Sequence, residues 1–154
     1  MSSADAVAQL NLDSFGFGRI GSVKAVSLAT AGNAVITIPI LSGGLTNSGA
    51  AAGSGSVIVR RVTVKNATGN VATANVAISV ASDGNIAAAN AVVANVVLSN
   101  MTGVGKYQDL TVAGAYGANT AITGFTTQAL YVNINTANAN GTVNIDVFGE
   151  VVSF

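Results

Sequence analysis

Cysteine and histidine are both missing from this chain. Without them there is no disulfide framework, no thiolate nucleophile and no imidazole base, and a zinc site of the usual His/Cys kind cannot be assembled. Charge is scarce as well. Only 8% of residues are Asp, Glu, Lys or Arg, against about 25% in an average domain. Six basic and six acidic residues give a formal net charge of zero, so the basic stripe that displaces counterions from a nucleic acid is lacking. Tryptophan is absent and aromatics are 5%. No uninterrupted apolar run reaches the length of a membrane-spanning helix. The opening Met1-Ser2-Ser3-Ala4-Asp5 has no basic segment followed by an apolar one, so the expectation is a protein made in the cytoplasm without a secretory signal.

What is present is small. Ala, Gly, Ser, Thr and Asn make up 88 of the 154 residues, although half of the chain counts as hydrophobic. That length suits one domain with one core. Small side chains bury little apolar area each, at about 25 cal/mol per Å², so burial against neighbouring subunits would add to the stability of a single copy. A nearly uncharged surface points the same way, because a free and abundant monomer is kept dispersed by net charge.

Most of the sequence alternates with a period of two, the signature of half-buried strands. Ala34, Ile36, Ile38 and Ile40 form one apolar face, and Pro39, which has no amide to donate, implies that the strand is a sheet edge or ends there. Val57 and Val59 share one phase while Val62 and Val64 share the opposite one, so either a bulge at Arg60-Arg61 or a strand buried on different faces at its two ends is expected. Ala72 to Val80 alternates cleanly and follows Val64 through Asn66 to Asn70, which reads as a hairpin, with the next turn at Asp83-Gly84. Val23 to Leu28, Lys106 to Val112, Leu130 to Ile134 and Val143 onward complete the set. The expectation is an all-β fold: an antiparallel β-sandwich or jelly roll of seven to eight strands over residues 19–154, preceded by an extended N-terminal arm over residues 1–18. Periodicity leaves Ile86 to Met101 open between helix and strand, and Ser42 to Ser56 reads as a low-complexity loop.

Motifs that would carry chemistry fail on context. Gly16-Phe17-Gly18-Arg19-Ile20-Gly21 is a literal G-x-G-x-x-G. A dinucleotide site needs a buried strand before it, a helix after it and an acidic residue about 20 positions on. Here polar residues precede it, a strand pattern follows, and no Asp or Glu lies between Asp13 and Asp83. Asp146 and Glu150 would share a strand face, but about 13 Å apart, which is wide for a glycosidase pair. Asp83-Gly84-Asn85 lacks the further acidic ligands of a calcium loop. An outer-membrane barrel is disfavoured because Asp146 and Glu150 interrupt the apolar alternation leading back from Phe154. No catalytic, cofactor or metal site is expected.

One set of strands has a familiar style. The runs 57–64, 75–80, 106–112, 130–133 and 143–152 resemble those of small virion proteins of tailed bacteriophages, among them the capsid decoration, or cement, proteins. That resemblance implies a non-enzymatic subunit located in the virion, bound to the major capsid protein or other virion proteins and forming a homo-oligomer, with no role for nucleic acid or membrane. A tail, collar or fibre-associated subunit is the alternative within the same class. A carbohydrate-binding module, using Tyr107, Tyr116 or Tyr131, is the alternative outside it. For the structural reading, Arg60 and Arg61 are candidate intersubunit pairs, because Arg binds carboxylates bidentately, against the simpler expectation that carboxylates of the same chain satisfy them. Phe15, Phe17 and Arg19, where the arm joins the domain, are the other candidate contacts. With so few charges, association is expected to be mainly apolar and tolerant of salt.

Overall fold

The computed structural model describes residues 17–40, 55–87, 90–113 and 129–153. Among them are eight strands and no helix: β1 Phe17–Ser27, β2 Gly32–Pro39, β3 Gly55–Lys65, β4 Asn75–Ser79, β5 Ala91–Val97, β6 Tyr107–Leu110, β7 Ala129–Thr136 and β8 Thr142–Ser153. They form two four-stranded sheets in the orders β1-β8-β3-β6 and β2-β7-β4-β5, with every pairing antiparallel. The expected β-sandwich is therefore the fold.

Alternation builds the core. From the first sheet Val59, Val62, Val64, Val143, Ile145 and Val147 point inward, and from the second Ile38, Val76, Ile78, Leu130, Val132 and Ile134 meet them in one buried cluster. Among the described residues no aromatic ring belongs to that cluster. The core is filled by aliphatic side chains, each worth about 1.5–3 kcal/mol when fully buried, and their β-branched shapes suit a pleated surface.

The expected bulge is in place. Val59 pairs with Gly149 and Arg61 with Phe148, so Arg60 is the additional residue and the phase of β3 reverses across it. Gly149 makes room on the partner strand, since a Cβ there would collide with the carbonyl oxygen of Ile58. Pro39 lies on β2, an edge of the second sheet. Residues 86–101 resolve in favour of a strand, β5, although Ala88 and Ala89 lie outside the described residues.

The hairpin expected between Val64 and Ala72 does not form. β3 and β4 belong to different sheets, and residues 66–74 cross from one to the other. The crossing is a plug: Ala67, Val71 and Ala74 are buried, Val71 N donates to Met101 O at 2.9 Å, and Leu98 N donates to Ala74 O at 2.9 Å. Polar turn residues serve a hairpin and a crossing equally well, and here three apolar side chains sent into the core decide for the crossing.

Both lateral edges of the sandwich are tied. Gly21 of β1 bridges Ile40 beside β2, and Val93 of β5 bridges Val112 beyond β6. Each link joins an edge of one sheet to an edge of the other, which blunts the unpaired edges that otherwise invite strand addition. Residues 1–16 of the expected arm, Phe15 included, lie outside the described residues, as does most of the expected loop 42–56. The last two residues of the arm span, Phe17 and Gly18, open β1.

Candidate interaction face

The two outward faces of the sandwich differ. On the second sheet Ser79 and Asn133 point outward yet are buried, and residues 80–87 fold back across them. Ser79 Oγ donates to Asn85 O at 2.5 Å. Asn133 donates from Nδ2 to Gly84 O at 2.6 Å and accepts from Ala34 N at 2.8 Å. The turn read at Asp83-Gly84 makes this possible. Gly84 has φ +76°, the left-handed region that favours glycine, and Asn85 N donates to Asp83 Oδ1 at 2.9 Å.

The outward face of the first sheet carries charge instead. Arg19 of β1, Asp146 and Glu150 of β8, Arg60, Arg61 and Lys65 of β3 and Asp109 of β6 all lie there. Seven of the twelve charged residues in the chain are thus gathered on one surface. They are arranged in pairs rather than as a field of one sign. Arg60 Nε lies 3.3 Å from Glu150 Oε1, and its second nitrogen donates to Oε2 at 3.4 Å, a two-point contact. Arg61 Nε lies 3.8 Å from Asp109 Oδ1 and its guanidinium stands 4.5 Å from the centre of the Phe148 ring. Thr63 Oγ1 donates to the same carboxylate oxygen of Asp109 at 2.6 Å.

Asp146 is the anchor. Its side chain is 2% exposed, Ser22 Oγ donates to Oδ1 at 2.7 Å, Arg19 stands 3.9 Å from that oxygen, and the Lys65 ammonium lies 2.5 Å from Oδ2. Burial alone would raise the pKa of this carboxyl. The hydrogen bonds from Lys65 and Ser22 and the positive charges of Lys65 and Arg19 outweigh burial and hold it below the ordinary carboxylate value. An acid held ionised in this way is suited to fixing cations in place, not to delivering a proton.

Arg60, Arg61 and Arg19, three of the contact candidates from the sequence, therefore share one face, and each is also met by a carboxylate of its own chain. Phe17 starts β1 beside them, paired in register with Glu150. Sequence reasoning did not find Phe148 as a member of this face. The carboxylate partners of Arg19, Arg60 and Arg61 are 127, 90 and 48 positions away along the chain, so only strand register brings them together. The chain matches no family model, no curated protein and no solved structure.

Proposed function

We propose that this chain is a non-enzymatic virion structural subunit, a decoration protein that docks on an assembled capsid, reinforces it and associates with copies of itself. The observation that carries this reading is the contrast between the two outward faces: the middle strands of one are crossed by its own chain at Ser79 and Asn133, and the other is a broad surface on which opposite charges are paired. Tied edges favour a partner that packs on a face over one that adds a strand. Paired charges suit a contact that must align without demanding a strong opposite field from its partner, because four cations meet three carboxylates on the face itself and the geometry supplies register.

The strand order adds to this reading. The pairs β1/β8, β2/β7, β3/β6 and β4/β5 are nested, as when one long hairpin is rolled up, and we read the sandwich as a jelly roll, an architecture used by viral capsid and lectin domains among others. Architecture alone assigns no activity. The argument therefore rests on the face. In it, the first-sheet face lies on the major capsid protein.

The deciding experiment is mass spectrometry and immunogold labelling of gradient-purified particles of the phage that encodes the chain. Presence on the head at a fixed ratio to the major capsid protein is expected. Labelling of the tail alone, or absence from the particles, would overturn the proposal.

A further inference from the structure

Tyr107 is 65% exposed and borders an open cleft of about 590 Å³ formed by the segment that joins β5 to β6. Ser99, Asn100, Thr102, Lys106 and Asp109 line the cleft with hydrogen-bonding side chains, and apart from Tyr107 no large apolar side chain among the described residues does so. From these observations we infer that the cleft is a saccharide site, taking one or two neutral pyranose units with a ring face stacked on Tyr107. The inference does not rest on the virion role.

Three features of the cleft argue for this ligand class. The first is the lining. A rim of hydroxyl, amide, ammonium and carboxylate groups suits a ligand covered in hydroxyls and repels an apolar one, while a single exposed ring offers one flat apolar surface, as the C–H face of a pyranose requires. A phosphate or another polyanion is disfavoured, because the described lining sets one cation, Lys106, against one carboxylate, Asp109, and so carries no excess of positive charge. The second is that the polar groups are vacant. Ser99 Oγ, the Asn100 amide, Thr102 Oγ1, Lys106 Nζ and the Tyr107 hydroxyl hydrogen-bond to none of the described residues.

The third is a floor that is already rigid. Leu98 and Met101, on either side of Ser99 and Asn100, are fully buried, and Met101 N donates to Leu98 O at 2.8 Å. Gln108 ties the two ends together: its Oε1 accepts from Asn100 N at 3.0 Å and its Nε2 donates to Val97 O at 2.9 Å. Asp109 is oriented by Thr63. A ligand therefore meets groups whose backbone is already ordered, which lowers the entropic cost of a weak, polar contact. The rim is open: a Cβ at Gly103 or Gly105 would meet nothing within 4 Å.

The test titrates the full chain with methyl glycosides of glucose, galactose, mannose and N-acetylglucosamine, and with the corresponding β-1,4 disaccharides, to about 50 mM, since millimolar affinity corresponds to only about −4 kcal/mol. Tyrosine fluorescence, undisturbed by tryptophan, and amide NMR shifts report binding. Saturable binding of at least one sugar is expected, with shifts centred on residues 98–109. Tyr107→Ala should weaken it at least tenfold, Tyr107→Phe should keep most of it, and Tyr131→Ala should leave it unchanged, with the amide spectrum confirming that each variant is folded. No saturable binding by any sugar, shifts centred elsewhere, or unaltered affinity in Tyr107→Ala would each overturn the inference. So would loss of particle binding by Tyr107→Ala without sugar binding by the parent, which would make the cleft a protein contact.

Discussion

Lys65 Nζ lies 2.5 Å from Asp146 Oδ2, and the carboxylate it meets is 2% exposed at the centre of the first sheet. Two residues set diagonally across β3 and β8, where Lys65 pairs with Asn144 and Asp146 with Thr63, thus hold the charged face together, with Ser22 and Arg19 completing the shell from β1.

Acid should loosen this shell. The pKa of Asp146 is lowered by folding, so the unfolded chain binds its proton first. The stabilisation is fully present above the ordinary aspartate value of about 3.9 and is lost as pH falls through the lower value of the folded state. Urea midpoints should be level from about pH 7 to 5 and decline below about pH 4. Asp146→Asn should be less stable at neutral pH, by about 2 kcal/mol given that Lys65 and Arg19 retain some solvent, and its midpoint should fall less on acidification. Parallel curves for parent and variant would show that Asp146 is not the group responsible.

Replacing Arg60 and Arg61 together with Ala should lower stability by only about 0–1 kcal/mol per ion pair, since both pairs are solvent-accessible. Capsid or self-association should suffer more, by tenfold or greater. Sedimentation with purified capsids beside a thermal melt separates the two effects. A variant that melts much earlier yet binds normally would confine these arginines to the internal network.

Salt should change association little. The charges on the face are neutralised within the chain, four cations against three carboxylates, so few unmatched ions are left for a partner to meet. Raising salt from about 0.1 to 1 M shortens the screening length from roughly 10 to 3 Å, and a particle-binding titration across that range should shift less than about tenfold. A hundredfold loss would mean that the pairs open and re-form across the contact.

Asn133→Ala should cost about 2–3 kcal/mol, because it strands the Ala34 amide and the Gly84 carbonyl under the covering segment. Hydrogen exchange should accelerate in residues 80–87 ahead of the strands. Uniform acceleration throughout the chain would count against a local role.

Gly149→Ala should cost more than the usual gain in backbone order returns, by about 2 kcal/mol or more, since its Cβ runs into the backbone of β3 at the bulge. Chemical denaturation of the variant checks this. A neutral result would mean that β3 shifts to accept the side chain.

The sequence by itself determined the strands, because alternation is local: a residue two positions on returns to the same face whatever the rest of the chain does. That is why Val62, Val64, Val132, Ile134, Val143 and Ile145 were legible as core, and why the phase change at Arg60-Arg61 disclosed a bulge. Pro39 placed an edge for the same reason, through its missing amide. Only the tertiary structure decided which strands are neighbours. The same Asn66–Asn70 turn chemistry serves a hairpin or a crossing between sheets, and the choice fell to the burial of Ala67, Val71 and Ala74 against partners far along the chain. The charged face and the Tyr107 cleft were hidden for that reason too. Glu150 meets Arg60, and Asp146 meets Lys65, through registers between β3 and β8 that are set by the packing of the whole core and written in no single segment.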